Sequence, residues 1–252
     1  MIEIQNISKS FGDEVVLKNL HTELHPNTIY GLLGKNGAGK TTLINLMMGF
    51  LEADSGDVVF DGKSIQHYAH EIKQSTGILS DDLPLVDQLT GYHNLEFAAS
   101  LYGLPAGEAK MRFTSLFEYF FDDVNELHKP LKQYSTGMRK KLMLISAVMH
   151  KPIVLIMDEP FTGLDPVAVK QMIEFIRSYK QASRTLLISS HDLSYIERIA
   201  DHILVLHDHN FVFNDTLKQF TTEGSTMIDE ALYNILVPEE RNTEDINWLF
   251  EN

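Results

Sequence analysis

The chain contains no cysteine among its 252 residues, and it has no long apolar segment. Without cysteine there is neither a disulfide framework nor thiolate chemistry, which suits a cytoplasmic location. No apolar run approaches the roughly 20 residues that a membrane-spanning helix needs, and the N-terminus shows no signal-peptide pattern. These absences predict a soluble protein that does not itself cross a membrane.

Basic residues are also scarce, with 21 Lys and Arg against 35 Asp and Glu, which gives a net charge of −14. This charge argues against a nucleic-acid-binding surface and against broad adhesion to anionic lipid. A partner surface is therefore expected to be basic or apolar. A local basic cluster, residues 139–141, opens a predicted helix and is expected to face phosphate or solvent.

A glycine-rich loop at residues 34–42 follows the apolar run 29–33 and precedes an apolar helical pattern at residues 42–47. Strand, loop and helix in this order are the context of a phosphate-binding loop, in which backbone N–H groups and a helix N-terminus converge on the phosphates. Lys40 would supply a positive charge for the β- and γ-phosphates, and the Thr41 hydroxyl would hold Mg²⁺. The plainer alternative is a glycine-rich turn before an ordinary helix.

A second phosphate-binding candidate surrounds Ser135, within the sequence Gln-Tyr-Ser-Thr-Gly-Met-Arg-Lys-Lys at residues 133–141. It precedes a helical pattern of Met138, Leu142, Ile145 and Met149. A serine and a glycine at a helix N-terminus can bind phosphate. Taken alone, the same sequence is better explained by an ordinary helix N-cap.

Two further apolar runs end in polar residues. Residues 153–157 are typical of a strand buried on both faces, and Asp158 and Glu159 follow at its carboxyl end, the edge where parallel sheets bind ligands. Asp158 is placed to hold Mg²⁺, and Glu159 to polarise a water in line with the γ-phosphate. A second such run, residues 186–190, ends at His191, which in isolation would more often be a structural histidine.

These motifs, in this order and spacing, resemble the nucleotide-binding domain of an ABC transporter over about residues 1–215. The resemblance implies an α/β fold: a P-loop NTPase (RecA-like) core, an N-terminal antiparallel β subdomain, and an α-helical subdomain inserted at residues 83–150. The change of texture along the chain, from strands to helices and back, agrees with this organisation. Residues 216–252 form a C-terminal acidic extension in this interpretation.

The resemblance also assigns the site. Glu159 and His191, the switch histidine, are the predicted catalytic residues. Thr41, Asp158 and Asp81 are the predicted Mg²⁺ ligands. The predicted ATP-binding residues are Phe11 as an adenine-stacking aromatic, the Walker A loop, the ABC signature and the D-loop aspartate: Phe11, Gly34, Lys35, Asn36, Gly37, Ala38, Gly39, Lys40, Thr41, Thr42, Ser135, Thr136, Gly137, Met138 and Asp165. Phe11, in a polar loop after an alternating strand, has a simple core aromatic as its alternative.

The sequence departs from the family pattern in two motifs. Asp81 stands where the family usually has glutamine, a residue that touches Mg²⁺ and signals to the membrane partner; aspartate is a suitable oxygen ligand but is shorter and charged. The signature reads Ser-Thr-Gly-Met rather than Ser-Gly-Gly-Gln, and it keeps Ser135 and Gly137. Similar forms occur in ATPases of the drug, lipid and antimicrobial-peptide exporter branch, which favours export.

The partners follow from the same resemblance. A separately encoded integral membrane permease would dock a coupling helix in the groove around residues 79–103 and hold the protein at the inner face of the membrane. A second ATP-binding subunit, identical or different, would complete an ATP sandwich between Lys40 of one subunit and Ser135 of the other. No nucleic-acid partner is expected. An importer motor, and a soluble ABC ATPase acting on ribosomes or DNA, are the alternatives.

Two other segments have patterns that could indicate a metal site or a partner contact. Residues 207–210, His-Asp-His-Asn, could suggest a metal cluster, but their apolar flanks favour a hairpin turn. In the extension, acidic residues flank an apolar group at residues 246–250, which predicts a terminal helix or an ordered tail docked on the core, with a partner contact as the alternative.

Overall fold

The structure is a computed structural model, and it describes residues 1–81 and 85–237. Strands and helices alternate regularly over residues 154–207. The strands are β1 (Ile2–Phe11), β2 (Glu14–Leu24), β3 (Thr28–Leu33), β4 (Ser55–Phe60), β5 (Lys63–Ser64), β6 (Thr76–Leu79), β7 (Val154–Asp158), β8 (Thr185–Ser189), β9 (His202–His207) and β10 (Asn210–Thr216). The α-helices are α1 (Lys40–Met47), α2 (Ile65–Gln74), α3 (Gly91–Leu101), α4 (Ala106–Phe120), α5 (Thr136–Val148), α6 (Pro166–Tyr179), α7 (Leu193–Ile199), α8 (Leu217–Phe220) and α9 (Ile228–Leu236).

Two sheets organise these elements. One is four-stranded and antiparallel in its described pairings, with the order β2-β1-β4-β5; the other is six-stranded, with the order β10-β9-β3-β8-β7-β6. In the second sheet all the strand pairs from β9 to β6 are parallel, and β10 pairs antiparallel at one edge. The predicted α/β fold class is therefore confirmed. The order β3-β8-β7 brings three carboxyl ends of buried strands side by side, and the site lies at this edge.

The apolar residues form two cores. In the first, Ile2, Ile4 and Ile7 of β1 pack with one face of the parallel sheet and with α1. The second lies on the other face of that sheet and continues into the helical region, where Phe113, Phe117 and Phe120 of α4 are buried, as their helical spacing predicts.

The helical region lies between β6 and β7 in the chain, and these two strands are parallel neighbours in the sheet. Helix α5 packs directly on β6 at Gly77. A Cβ atom built on this glycine would lie 2.1 Å from the carbonyl oxygen of Ala147. Only a residue without a side chain permits this approach, so Gly77 holds the helical region tightly against the sheet.

Two local expectations have different outcomes. Phe11 is the last residue of β1 and not part of a loop, because residues 10 and 11 still pair with residues 15 and 14 of β2. The predicted hairpin turn at residues 207–210 is present: Asp208 and His209 connect β9 and β10 with φ of 45° and 69°, as two-residue hairpin turns require.

The chain after β10 continues as α8 and α9, and Phe220, Ile228 and Ala231 of these helices are buried in the second core. This part of the extension is therefore docked on the body of the protein. The apolar group at residues 246–250, on which the docked-tail prediction rested, lies outside the described residues. Within the described ranges, no helix combines the length and apolar character that a membrane span would need.

Candidate active site

The glycine-rich loop connects β3 to α1 and lies over the N-terminus of this helix. Gly37 and Gly39 have φ of 81° and 99°, a region that side-chain-bearing residues rarely adopt. The loop folds back on Lys40, whose Nζ donates to the carbonyl oxygens of Gly34 at 2.8 Å and Lys35 at 3.2 Å. Burial lowers the pKa of Lys40, and the carboxylates of Glu159 and Asp158 act in the opposite direction.

The Asp158 carboxylate at the end of β7 is held by hydroxyl donors on both oxygens. Thr41 Oγ1 donates to Oδ2 at 3.0 Å, and Ser189 Oγ, from the end of β8, donates to Oδ1. Two of the three predicted Mg²⁺ ligands, Thr41 and Asp158, are thus in direct contact. Their hard oxygen atoms fit the ligand preference of Mg²⁺.

Glu159 follows in a strained conformation, with φ of 50°. Its N–H lies 3.2 Å from both the carbonyl oxygen and Oγ of Ser189, and its Oε2 lies 2.7 Å from Nδ1 of His191. The His191 side chain is 64% exposed and Glu159 27% exposed, so this pair faces the solvent side of the site. The geometry suits a carboxylate that accepts a proton and a histidine that orients it.

Lys40, Thr41, Asp158 and Glu159 border an open cleft of about 480 Å³. Its lining includes Phe11, Asn36, Gly37, Gly39, Lys40, Thr41, Thr42, Asp158 and Glu159. Phe11 is 50% exposed, so the core-aromatic alternative is wrong for this residue. Two other predicted loop residues act from behind the cleft: Lys35 supplies a carbonyl to Lys40, and Ala38 packs against the first core.

The signature residues and Asp165 lie elsewhere. Ser135 is the N-cap of α5, where its Oγ accepts from the Met138 N–H at 3.2 Å. Thr136 and Gly137 lie next to the loop that contains Gly163. Asp165 caps α6 by accepting hydrogen bonds from the backbone N–H groups of Val167 and Ala168. These hydrogen bonds lower the pKa of Asp165, and the bond from Ala168 has the larger effect. Among the described residues that line the cleft, none belongs to residues 135–138, and Asp165 is also absent.

Asp81 and the basic cluster have an arrangement that the sequence does not suggest. Lys140 is 1% exposed, and its Nζ donates to the Asp81 carboxylate at 2.9 Å and to the Glu159 carbonyl oxygen at 3.0 Å. The expectation that residues 139–141 face phosphate or solvent is therefore wrong for Lys140. Most side chains of α5 are buried, and Lys140 is among them. A buried charge at this position is tolerated because it is paired.

The two flanking residues of the cluster also have protein partners. Arg139 pairs with Asp87 at 2.7 Å, and Lys141 donates to the carbonyl oxygen of Phe120 at 2.8 Å. Sequence reasoning missed Ser189 and Lys140 as site residues. The position of Ser189, two residues before His191 at a strand end, was an available signal, whereas nothing local distinguishes Lys140 from a solvated lysine.

Comparison with known proteins decides the family. The sequence profile described as "ABC transporter" matches residues 17–162. The chain belongs to the ABC transporter family. The predicted resemblance to this family is thereby confirmed.

Among its curated relatives, the linearmycin resistance ATP-binding protein LnrL of Bacillus subtilis (strain 168) is 32% identical over 92% of this chain and 77% of its own length. The lantibiotic transport ATP-binding protein SrtF of Streptococcus pyogenes is 29% identical over 96% of this chain and its full length. The bacitracin transport ATP-binding protein BcrA of Enterococcus faecalis is 35% identical over 84% of this chain and 68% of its own.

Solved structures show the same fold. An ATP-binding subunit of an ABC transporter superimposes with a TM-score of 0.85 at 26% identity, over 93% of this chain and 99% of that one. The ATP-binding cassette MJ0796, in a dimeric post-hydrolysis structure with ADP and Pi, gives 0.77 at 18% identity, over 86% of this chain and 99% of that one. The second likeness concerns the fold alone.

Proposed function

We propose that this chain is the ATP-hydrolysing motor subunit of a membrane exporter and that it drives a separately encoded permease. One observation carries the proposal: Lys40, Thr41, Asp158 and Glu159 border one cleft at the carboxyl edge of the parallel sheet, with His191 hydrogen-bonded to Glu159. Export is supported by the relatives, whose names refer to linearmycin resistance, lantibiotic transport and bacitracin transport.

In the proposed reaction, the Walker A loop holds the phosphates with its backbone N–H groups and Lys40. Bound Mg²⁺, held by Thr41 and Asp158, would neutralise the charge that develops on the phosphates. Glu159 takes the proton of the attacking water, and His191 orients the Glu159 carboxylate through their 2.7 Å contact. Phe11, exposed at the mouth of the cleft, stacks on the adenine.

The site of one chain is half of the proposed catalytic unit. Ser135 to Met138 and Asp165 do not line the cleft of their own chain, yet they carry the remaining phosphate-binding pattern. A head-to-tail dimer would bring Ser135 of one subunit to the ATP bound by Lys40 of the other, and hydrolysis would release this contact. The MJ0796 cassette, which has this fold, is dimeric in its structure with ADP and Pi, and this supports a dimer but not its orientation.

An apolar groove supports the permease partner. It has a volume of about 510 Å³ and runs between the core and α3, within the predicted 79–103 region on one side. Phe97 and Leu101 of α3 are 56% and 61% exposed there. An apolar surface of this kind marks a protein contact, and a permease helix in it would place the protein at the inner face of the membrane.

The proposal is tested by purifying the protein from its native membrane and measuring ATP turnover of the wild type, Glu159→Gln and Lys40→Ala. Glu159→Gln is expected to bind ATP and dimerise. Its ATP turnover rate should be lower by a factor of about 10² or more, because the base is lost. Lys40→Ala is expected to lose ATP affinity. Recovery of an integral membrane partner with Glu159-dependent turnover supports the exporter motor.

Other results would refute parts of the proposal. Near-normal turnover by Glu159→Gln would remove Glu159 as the base. Recovery of ribosomes or DNA with intact turnover would favour the soluble ABC ATPase instead. A permease partner that takes up cargo would favour the importer.

A further inference from the structure

Lys140 is a charged side chain that is almost completely buried, although it lies in α5 and not in the phosphate-binding loop. It is 1% exposed, whereas its partner Asp81 has a side chain that is 65% exposed. A buried ammonium group is costly unless hydrogen bonds and an opposite charge compensate for it. Here Asp81 supplies the charge, and the carbonyl oxygen of Glu159 supplies a second acceptor at 3.0 Å.

The second contact involves the backbone of the proposed catalytic base. Glu159, a residue with φ of 50°, has its N–H held by Ser189. Its carbonyl oxygen accepts from Lys140 Nζ at 3.0 Å and from the N–H of Thr162 at the longer distance of 3.4 Å. A residue in this sparsely populated conformation persists only where its surroundings determine it. The backbone therefore aims the Glu159 side chain at His191 through contacts that Lys140 completes.

We propose that Lys140 is a positioning residue for Glu159, and that the Asp81 carboxylate holds the Lys140 ammonium in place for this task. Lys140, on helix α5, thereby connects Asp81 to the backbone of Glu159 within one subunit. Asp81 thus has a structural partner in this protein, at the position where the family pattern places a glutamine. The inference rests on the proposed role of Glu159.

The test compares Lys140→Met with Lys141→Met on the same helix. Both lysines donate one hydrogen bond to a main-chain carbonyl, but the acceptor of Lys141 is Phe120, away from the cleft. Lys140→Met is expected to lower kcat about tenfold or more, which corresponds to the loss of one hydrogen bond from a charged donor. The KM for ATP should change less than about twofold, because Lys40 and its loop are intact. Lys141→Met should keep wild-type kcat.

A double-mutant cycle separates positioning from general destabilisation. In a Glu159→Gln background, single-turnover hydrolysis should be slowed no further by Lys140→Met, since a residue that acts through Glu159 has nothing left to position. A multiplicative loss would overturn the inference. Lys140→Gln, whose amide retains two N–H donors, should recover part of kcat; equal kcat for the Gln and Met variants would also contradict it.

Asp81→Asn keeps the test decisive if Lys140→Met does not fold, because it changes an exposed side chain and leaves Lys140 present. It should lower kcat about threefold, in the same direction and with the same unchanged KM. Wild-type kcat in both Asp81→Asn and Lys140→Gln would overturn the inference. If Glu159→Gln itself retained turnover, the proposed function would fail at its base; if Glu159→Gln were inactive and Lys140→Met fully active, only the present inference would fail.

Discussion

Replacing Ser189 with alanine should weaken the proposed Mg²⁺ site without changing the fold. Ser189 is fully buried at the end of β8, and its Oγ donates to Asp158 Oδ1. The same Oγ accepts from the N–H of Glu159 at 3.2 Å, but that N–H keeps a second acceptor in the Ser189 carbonyl oxygen. The loss that matters is therefore the hydrogen bond to the Asp158 carboxylate.

A hydrogen bond to a charged group contributes about 1.5–3 kcal/mol. If the hydrogen bond that orients Asp158 contributes about 2 kcal/mol to transition-state stabilisation, its loss should lower kcat at saturating Mg²⁺ and ATP about 30-fold or less. This follows because about 1.4 kcal/mol corresponds to a factor of ten in rate. Thr41 still donates to the other Asp158 oxygen at 3.0 Å, so the carboxylate stays in the site and some activity remains. The Mg²⁺ concentration that gives half-maximal turnover should rise.

The assay is steady-state ATP turnover over a Mg²⁺ titration, with Ser190→Ala as the matched control. Ser190 is equally buried, but its Oγ accepts from the N–H of Asp192 and does not reach Asp158. Ser190→Ala should therefore keep the wild-type Mg²⁺ dependence. Equal behaviour of the two variants, or a wild-type titration for Ser189→Ala, would refute the view that Ser189 orients the Asp158 carboxylate for the proposed Mg²⁺.

The remaining predictions concern the phosphate loop and a buried histidine. Gly34→Ala should abolish ATP binding and lower the melting temperature, because the added Cβ would lie 2.4 Å from the Leu206 carbonyl oxygen. Gly37→Ala, which has open space around its Cβ, should lower the melting temperature less. A larger loss of melting temperature in Gly37→Ala than in Gly34→Ala would contradict the reasoning. Burial lowers the pKa of His150 to about 4 in the folded protein, against about 6.5 in the unfolded chain. Below pH 6.5 the unfolded state therefore binds more protons than the folded state. The free energy of unfolding should fall, by at most about 3 kcal/mol, as the pH drops from 6.5 towards 4. Urea unfolding of the wild type and His150→Gln at several pH values checks this; an equal pH dependence would exclude His150 as its source.

Much of the site could be predicted because its signals are local. The glycine-rich loop, the acidic residues that end β7 and the histidine after β8 each occupy a few consecutive residues beside an apolar run, and such runs predict strand ends in a parallel sheet. The α4 stripe was predicted for the same reason, since helical periodicity is a property of a short segment. Family membership then followed from the order of these signals.

The parts that sequence reasoning missed depend on contacts between distant segments. Asp81 and Lys140 are separated by 59 positions, and a lysine in a run of three basic residues has the pattern of a solvated helix end. The apolar run around Ser189 predicts a strand, but no local pattern shows that the Ser189 hydroxyl connects β8 to Asp158. The polar residues beside Phe11 predict a loop, whereas the strand pairing of Phe11 with Glu14 depends on β2. In each case packing, and not local pattern, decides the role.

The close approach of α5 to β6 at Gly77 has a mechanical consequence. No side chain lies between Gly77 of the strand and the Ala147 carbonyl oxygen of the helix. A small displacement of the helix therefore cannot be absorbed by a side-chain rearrangement at this contact. A force on the signature end of α5 is therefore transmitted to β6 and to the loop that begins at Ser80.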